Sequence, residues 1–293
     1  MVRLHVKKGD DDLFLFDTPV DISVHQITRS IVDIHNGRLK IGRMAAEMEN
    51  LANHGIHLPP NMVGLMDDQI AELKLKDEFA QTHTPSGGVE SRKDEFFRRN
   101  GQAPLQNMAK ILTVTAEEAR NAVHKNLVKE GVSLTPELVK EQWMKLKGAV
   151  MIVYPMGLPL HDPLEVEMSA YSAWNLDAGY GGFRDVMDED KTALWWAGKE
   201  LKSDRQLKEY IGGNDKTRLT VKMAEKGKGG PAREPVFTEE QKKAMMAHAF
   251  RRQQELEKLE EDDDDHYLNS KWADSSALKM CFQGIKDIQI RPS

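Results

Sequence analysis

The chain has little of what marks a secreted, membrane-spanning or nucleic-acid-binding protein. Cys281 is its only cysteine, so no intrachain disulfide can form, and a reducing compartment is the expectation. The longest apolar run, Ala149 to Tyr154, falls far short of the ~20 residues that cross a bilayer. The start, MVRLHVKKGDDDLFLF, has neither the apolar stretch nor the small-residue cleavage site of a signal peptide. No Asn-x-Ser/Thr acceptor occurs. A basic excess is also missing: the net charge is -6 and the pI about 6.0, which argues against a dedicated nucleic-acid binder. These absences lead to an expectation of a soluble intracellular protein.

Recognisable catalytic constellations are missing as well. His54-Gly55-Ile56-His57 brings two imidazoles together, but no further ligands stand near them as a zinc site requires. Lys226 to Gly230 is Gly-rich but runs into Pro231, and lacks the Gly-Lys-Ser/Thr that opens a helix in a phosphate loop. Gly179 to Gly182 lacks the spacing of a dinucleotide fingerprint. No Gly-x-Ser-x-Gly elbow is present. Cys281 has no neighbouring His to lower its pKa. Asp10 to Asp12 fits a turn better than a calcium loop. The expectation is therefore a non-enzyme with no catalytic residue, cofactor or metal.

What is present reads as α+β. Val2, Leu4 and Val6 alternate with polar residues as in a half-buried strand. Gly9-Asp10 is a turn, and Leu13 to Phe16 reads as a second strand. Asp21 or Ser23 can cap a helix with Val24, Ile27, Ile31 and Ile34 on one face, stopped by Asn36-Gly37. Strand, strand, helix is how a ubiquitin-like β-grasp begins. A second helix follows to His54-Gly55, and Asp67 to Lys76 suits a short one. Gln81 to Ala103 is polar and reads as a loop.

Leu105 to Leu127 suits a long helix ending at Gly131. Thr135-Pro136-Glu137 is a strong helix start, with Val139, Trp143 and Leu146 inward and Gly148 as its stop. Ala149 to Tyr154 reads as a buried strand, with Leu164, Val166 and Met168 as its partner. Asp188 to Lys202, which holds Trp195 and Trp196, reads as helical, and Lys216 to Met223 is ambiguous. The expected organisation is a ubiquitin-like α+β domain over 1–78, a polar linker over 79–103, and a helical domain with short strands over 104–225. A linker over 226–237 and a charged helix with a tail over 238–293 follow.

The charged segment Thr238 to Asp265 carries five basic and ten acidic residues, so nearly all of the chain's net charge lies there. A capping box at Phe237 to Gln241 opens it. A thin apolar seam of Met246, Ala249, Leu256 and Leu259, with Phe250 beside it and Gln253 interrupting, runs along it. Asp262 to Asp265 oppose the helix dipole and should fray that end.

Literal strings tie the whole chain to one family. They include Asn36-Gly-Arg-Leu-Lys40, His54-Gly-Ile-His-Leu-Pro-Pro-Asn-Met62 and Gly148-Ala-Val-Met-Ile-Val-Tyr-Pro-Met-Gly-Leu-Pro159. Leu194-Trp-Trp-Ala197, Pro231-Ala-Arg-Glu-Pro235, Tyr267-Leu-Asn-Ser270 and Trp272-Ala-Asp274 complete the set. In these the chain resembles the Kurly family, also called the cilia- and flagella-associated protein 298 family. The resemblance implies a non-enzymatic adaptor for cytoplasmic assembly of axonemal dynein arms, outer arms especially, needed for cilium beating and linked to planar cell polarity. Its partners would be axonemal dynein subunits or other dynein assembly factors. Cytoplasm, cilium or flagellum and basal body are the implied locations, with the nucleus left open. A structural component of the axoneme or basal body is the alternative. Aromatic and arginine side chains dominate interfaces, so Arg233, Tyr267, Trp272 and one of Trp195 and Trp196 are the candidate partner contacts.

Overall fold

A five-stranded mixed sheet and one long helix organise the first part of the chain. The structure, a computed structural model, describes residues 1–169, 171, 185–227, 229–231 and 239–261. Strands β1 (Val2–Lys8) and β2 (Asp11–Thr18) form an antiparallel hairpin. Its side chains alternate as the sequence pattern requires: Val2, Leu4 and Val6 are buried, and Arg3 pairs with Asp17 at 2.9 Å on the other face. Ser23 then caps helix α1 (Val24–His54), its hydroxyl accepting from the Gln26 amide at 3.3 Å.

Helix α1 is continuous, so Asn36-Gly37 does not stop it. The Asn36 amide bonds to the backbone of Met187 and does not compete for its own helix backbone. Gly37 is a packing notch. A Cβ there would lie 2.5 Å from Val139 Cγ1 and 2.9 Å from the Tyr171 hydroxyl. The helix ends at Gly55 (φ 78°), whose amide closes on the Leu51 carbonyl. A Cβ at Gly55 would strike the Gln102 carbonyl, so the position excludes other residues on two grounds.

The next segment holds α2 (Asp67–Glu72), the turn α3 (Phe79–Thr82) and a small antiparallel pair, β3 (Val89–Ser91) with β4 (Gln102–Pro104). The stretch read as loop thus contains paired backbone. It also caps a helix end, because the Ser86 amide and hydroxyl donate to the Val153 and Ile152 carbonyls. These carbonyls end helix α6 (Pro136–Val153) and would otherwise be orphaned.

Helix α4 (Gln106–Ala122) is shorter than the sequence pattern suggests, and a separate turn, α5 (Leu127–Glu130), closes at left-handed Gly131. Arg38 of α1 donates to the Val123 carbonyl at 2.7 Å and so caps the end of α4. Thr135 caps α6 as expected, accepting from the Leu138 amide.

Ala149 to Val153 corrects the strand reading: it is the last turns of α6. An apolar run cannot be assigned by hydropathy alone, and burial shows which period rules. Leu146, Ala149, Val150 and Val153 are buried, while Met151 and Ile152 are each 59% exposed. Leu164 to Met168 is likewise helix α7 (Pro163–Ser169), with Leu164, Glu167 and Met168 buried and the Asp162 carboxylate accepting from the Leu164 amide.

Asp188 to Lys202 is not helical. It forms the hairpin β5 (Thr192–Trp196) and β6 (Lys199–Leu201), turned by Ala197 (φ 48°) and Gly198 (φ 78°). Two successive positive φ values are the mark of the tight turn that matches strand twist. After α8 (Lys208–Ile211), β7 (Arg218–Glu225) resolves the ambiguous segment as a strand.

The sheet order is β2-β1-β7-β5-β6, with β1 and β7 parallel at its centre. One face is covered by α1. This is the β-grasp arrangement that the strand, strand, helix start anticipates, with residues between Gly55 and Lys191 inserted after the helix. The chain divides into two compact units, Met1–Arg233 and Glu234–Ser293. In the second, the described residues form helix α9 (Glu239–Glu261). No helix among the described residues is long and apolar enough to cross a membrane.

Candidate functional site

The two tryptophans sit where the β5–β6 hairpin crosses the sheet, and strand geometry sends them to opposite faces. Trp196 lies opposite Val221 and packs against the apolar core. Trp195 lies opposite Lys222 on the other face. Its indole Nε1 is buried with no hydrogen-bond partner among the described residues. The backbone at Gly230 runs over the ring, where a Cβ would come within 3.2 Å of it. Arg233, Tyr267 and Trp272 lie outside the described residues, as do Asp262 to Asp265, Cys281 and the Gly179 to Gly182 run.

A cleft of about 310 Å³ lies where α1 ends and is lined by Glu47, His54, His57, Lys93, Asp94 and Arg99 among others. Several of its charged groups bind one another or the backbone. Arg99 donates to Glu47 Oε2 and to the Gly55 carbonyl, each at 2.6 Å, and stands 3.8 Å from the buried Asp162 carboxylate. Asp162 accepts from the His57 amide at 3.0 Å. Asp94 accepts from the amides of Phe96, Arg98 and Arg99. Its carboxyl lies below the usual range: burial works against this, and the three backbone donors win. His161 is fixed by its contact to the His57 carbonyl at 3.0 Å. The cleft therefore reads as a clamp that ties the 89–104 segment to α1. Among the described residues no group of three His, Cys, Asp or Glu is arranged to hold a metal ion.

A second polar centre holds α7 on α1. Glu167 accepts from Arg43 Nε at 2.6 Å and lies 3.8 Å from the fully buried Lys40 ammonium. Burial lowers the Lys40 pKa, and Glu167 opposes the shift. The Trp143 indole donates to the Glu167 carbonyl oxygen at 3.4 Å.

The apolar surface that sequence reasoning missed is on α6. Met144, Met151 and Ile152 stand exposed, followed by Met156 and Leu160 just beyond the helix. Gly148 lies between them with open space where its Cβ would be. The strand reading of Ala149 to Tyr154 hides this stripe, although the seven-residue spacing of Met144 and Met151 is its helical signature. Methionine-rich exposed stripes suit adaptable docking. Helix α9 exposes Met245, Met246, Phe250 and Leu256 in the same way.

Comparison with known proteins agrees with the string resemblance. A family model described as cilia- and flagella-associated protein 298 matches residues 192–288, which hold β5 through α9 and all five candidate contacts. The chain is 52% identical to cilia- and flagella-associated protein 298-A of Xenopus laevis, over 100% of both chains. It is 49% identical to cilia- and flagella-associated protein 298 of Homo sapiens, again over 100% of both. Against the Drosophila melanogaster protein of that name it is 43% identical over 99% of both. No solved structure matches.

Proposed function

This chain belongs to the cilia- and flagella-associated protein 298 family, and from that premise we propose that it is a non-enzymatic adaptor in the cytoplasmic assembly of axonemal dynein arms. The observation that carries the reading is end-to-end identity with relatives whose names attach them to cilia and flagella. A cilium-related role follows from the family. The dynein step is what the family resemblance adds. Partners are axonemal dynein subunits, outer-arm subunits first, or other dynein assembly factors.

The physical layout supports an adaptor. In the cleft where α1 ends, Glu47, Arg99 and Asp162 bind one another and the backbone, as a structural clamp does. Apolar side chains instead stand exposed on α6 and α9. We assign the partner contacts to Arg233, Tyr267 and Trp272, and to Trp195 in preference to Trp196, because Trp195 lies on the face opposite Trp196, which packs against the core.

Fractionation of a motile ciliated cell separates this reading from a structural role. An assembly factor is recovered mainly in the soluble cytoplasmic fraction. Retention in detergent-extracted, salt-washed axonemes would point to a fixed axonemal component. At the residue level, Arg233→Ala and Trp272→Ala should each reduce capture of dynein heavy or intermediate chains without lowering the melting temperature. A lowered melting temperature would instead place the side chain in a core.

A further inference from the structure

We propose that the groove between α5 and the sheet face turned away from α1 binds a phosphoryl anion, the group carried by phosphate monoesters and phosphorylated side chains. The groove, about 380 Å³, is lined by Arg3, His5, Leu15, Lys129, Arg218 and Thr220 among others. Its make-up follows from the register of β1 with β7. Arg3 stands beside Arg218, and His5 beside Thr220, while Leu4 and Leu219 between them are buried on the opposite face. Leu15, paired with His5 on β2, and Val128 of α5 supply its apolar part.

Like charges side by side on neighbouring strands repel, and only one of the two arginines is neutralised. Arg3 is held by both oxygens of Asp17, each at 2.9 Å, and donates from Nη1 to the Gly131 carbonyl at 3.1 Å. His5 stands 3.0 Å from Asp12. Arg218 and Lys129 are exposed and make no ion pair among the described residues. No Asp or Glu among the described residues lines the groove. Two uncompensated cations match a dianion, and a phosphate monoester carries about −1.5 to −2 charges near neutral pH. The donors suit the same group. The Arg218 fork can take two oxygens, the Lys129 ammonium acts as a point charge, and the exposed Thr220 hydroxyl can donate to a third oxygen. A carboxylate offers one oxygen fewer and less charge.

Amide NMR titration of the isotope-labelled full chain, at constant ionic strength and about pH 7.5, tests this. The probes are N-acetyl-O-phosphoserine amide, inorganic phosphate and N-acetylglutamic acid α-amide. Both phosphate probes should give saturable shifts at Gly131, Arg218 and Thr220, with Kd of about 1–10 mM, and the glutamate probe should bind about tenfold more weakly. Arg218→Gln and Lys129→Gln should each weaken phosphate binding by about fivefold, and the double variant should lose saturation. Lys110→Gln, at an exposed lysine of α4 outside the groove, should leave it unchanged. Unchanged amide spectra away from the groove confirm that each variant folds. Tighter binding of the phosphoserine probe than of inorganic phosphate assigns the site to a phosphorylated side chain, and equal binding assigns it to a free phosphate compound. The proposal is overturned by the absence of saturable shifts up to ~50 mM of either phosphate probe. Glutamate binding as tight as phosphate binding, or unchanged affinity in the double variant, overturns it as well.

Discussion

Asn36 grips the backbone of Met187 at both polar groups: its Nδ2 donates to the Met187 carbonyl at 2.7 Å, and its Oδ1 accepts from the Met187 amide at 2.9 Å. The residue is fully buried in the middle of α1, so this one amide side chain holds the segment leading into β5 against the central helix. Asn36→Ala should destabilise the fold by about 2–4 kcal/mol, because two buried backbone groups lose their partners. Asn36→Asp should be nearly as damaging, since a carboxylate cannot donate to the carbonyl. Chemical denaturation of the three proteins checks both.

Gly37 and Gly42 lie on the same helix and should respond with opposite signs. Alanine ordinarily stabilises a helix interior by up to about 1 kcal/mol over glycine. At Gly42 nothing stands within 4 Å of the added Cβ, so Gly42→Ala should raise the melting temperature by a few degrees. At Gly37 the new methyl meets Val139 at 2.5 Å, and Gly37→Ala should destabilise by about 1–3 kcal/mol. Val139→Ala added to Gly37→Ala should recover part of that loss. Thermal melts of the four proteins decide it.

His35 makes stability depend on mildly acidic pH. Burial pushes its pKa down to about 4, although the imidazole touches the Asp185 carbonyl at 2.8 Å. A histidine whose folded pKa lies below its unfolded one is held neutral in the fold, so the unfolded chain binds the extra proton. Its contribution is complete above about pH 6.5 and is lost as pH falls towards 4, amounting to on the order of 3 kcal/mol at the limit. Denaturation midpoints measured from pH 7 to pH 4.5 should fall. In His35→Gln the part of the slope due to this residue should vanish.

Arg99 and Tyr154 test the clamp beneath the cleft. Arg99→Ala leaves the fully buried Asp162 without its cation and the Gly55 carbonyl without its donor, and should cost about 3 kcal/mol or more. Tyr154 is different. Its hydroxyl is buried with no partner among the described residues, and burial raises its pKa well above the ordinary value. Tyr154→Phe should therefore leave stability unchanged or raise it by up to about 1 kcal/mol. Equilibrium unfolding in denaturant reads both.

Where local signals and packing agree, the fold is legible in the sequence. The period of Val2, Leu4 and Val6, the Ser23 and Thr135 caps and the Gly55 stop all fall where side-chain chemistry puts them. The misreadings share one cause: a local signal overruled by tertiary contact. Asn36-Gly37 looks like a helix stop because the Met187 backbone that occupies Asn36 is distant in sequence. The Ala149 to Tyr154 run is equally apolar as strand or helix, and only its one-sided burial separates the two. Trp195-Trp196 looks awkward on a helix because it belongs on a strand, and the Ala197-Gly198 turn carries only half of the usual signal. The candidate contacts rest on residue type and resemblance alone, whereas the α6 stripe emerges only once α6 is known to run on to Val153.

The central claim is an assembly role, and outer dynein arms counted by electron microscopy test it most directly. In motile ciliated cells lacking this protein, axonemes should be present with their outer arms depleted, and the arms should return when this chain is re-expressed. A full complement of outer arms in its absence would contradict the account.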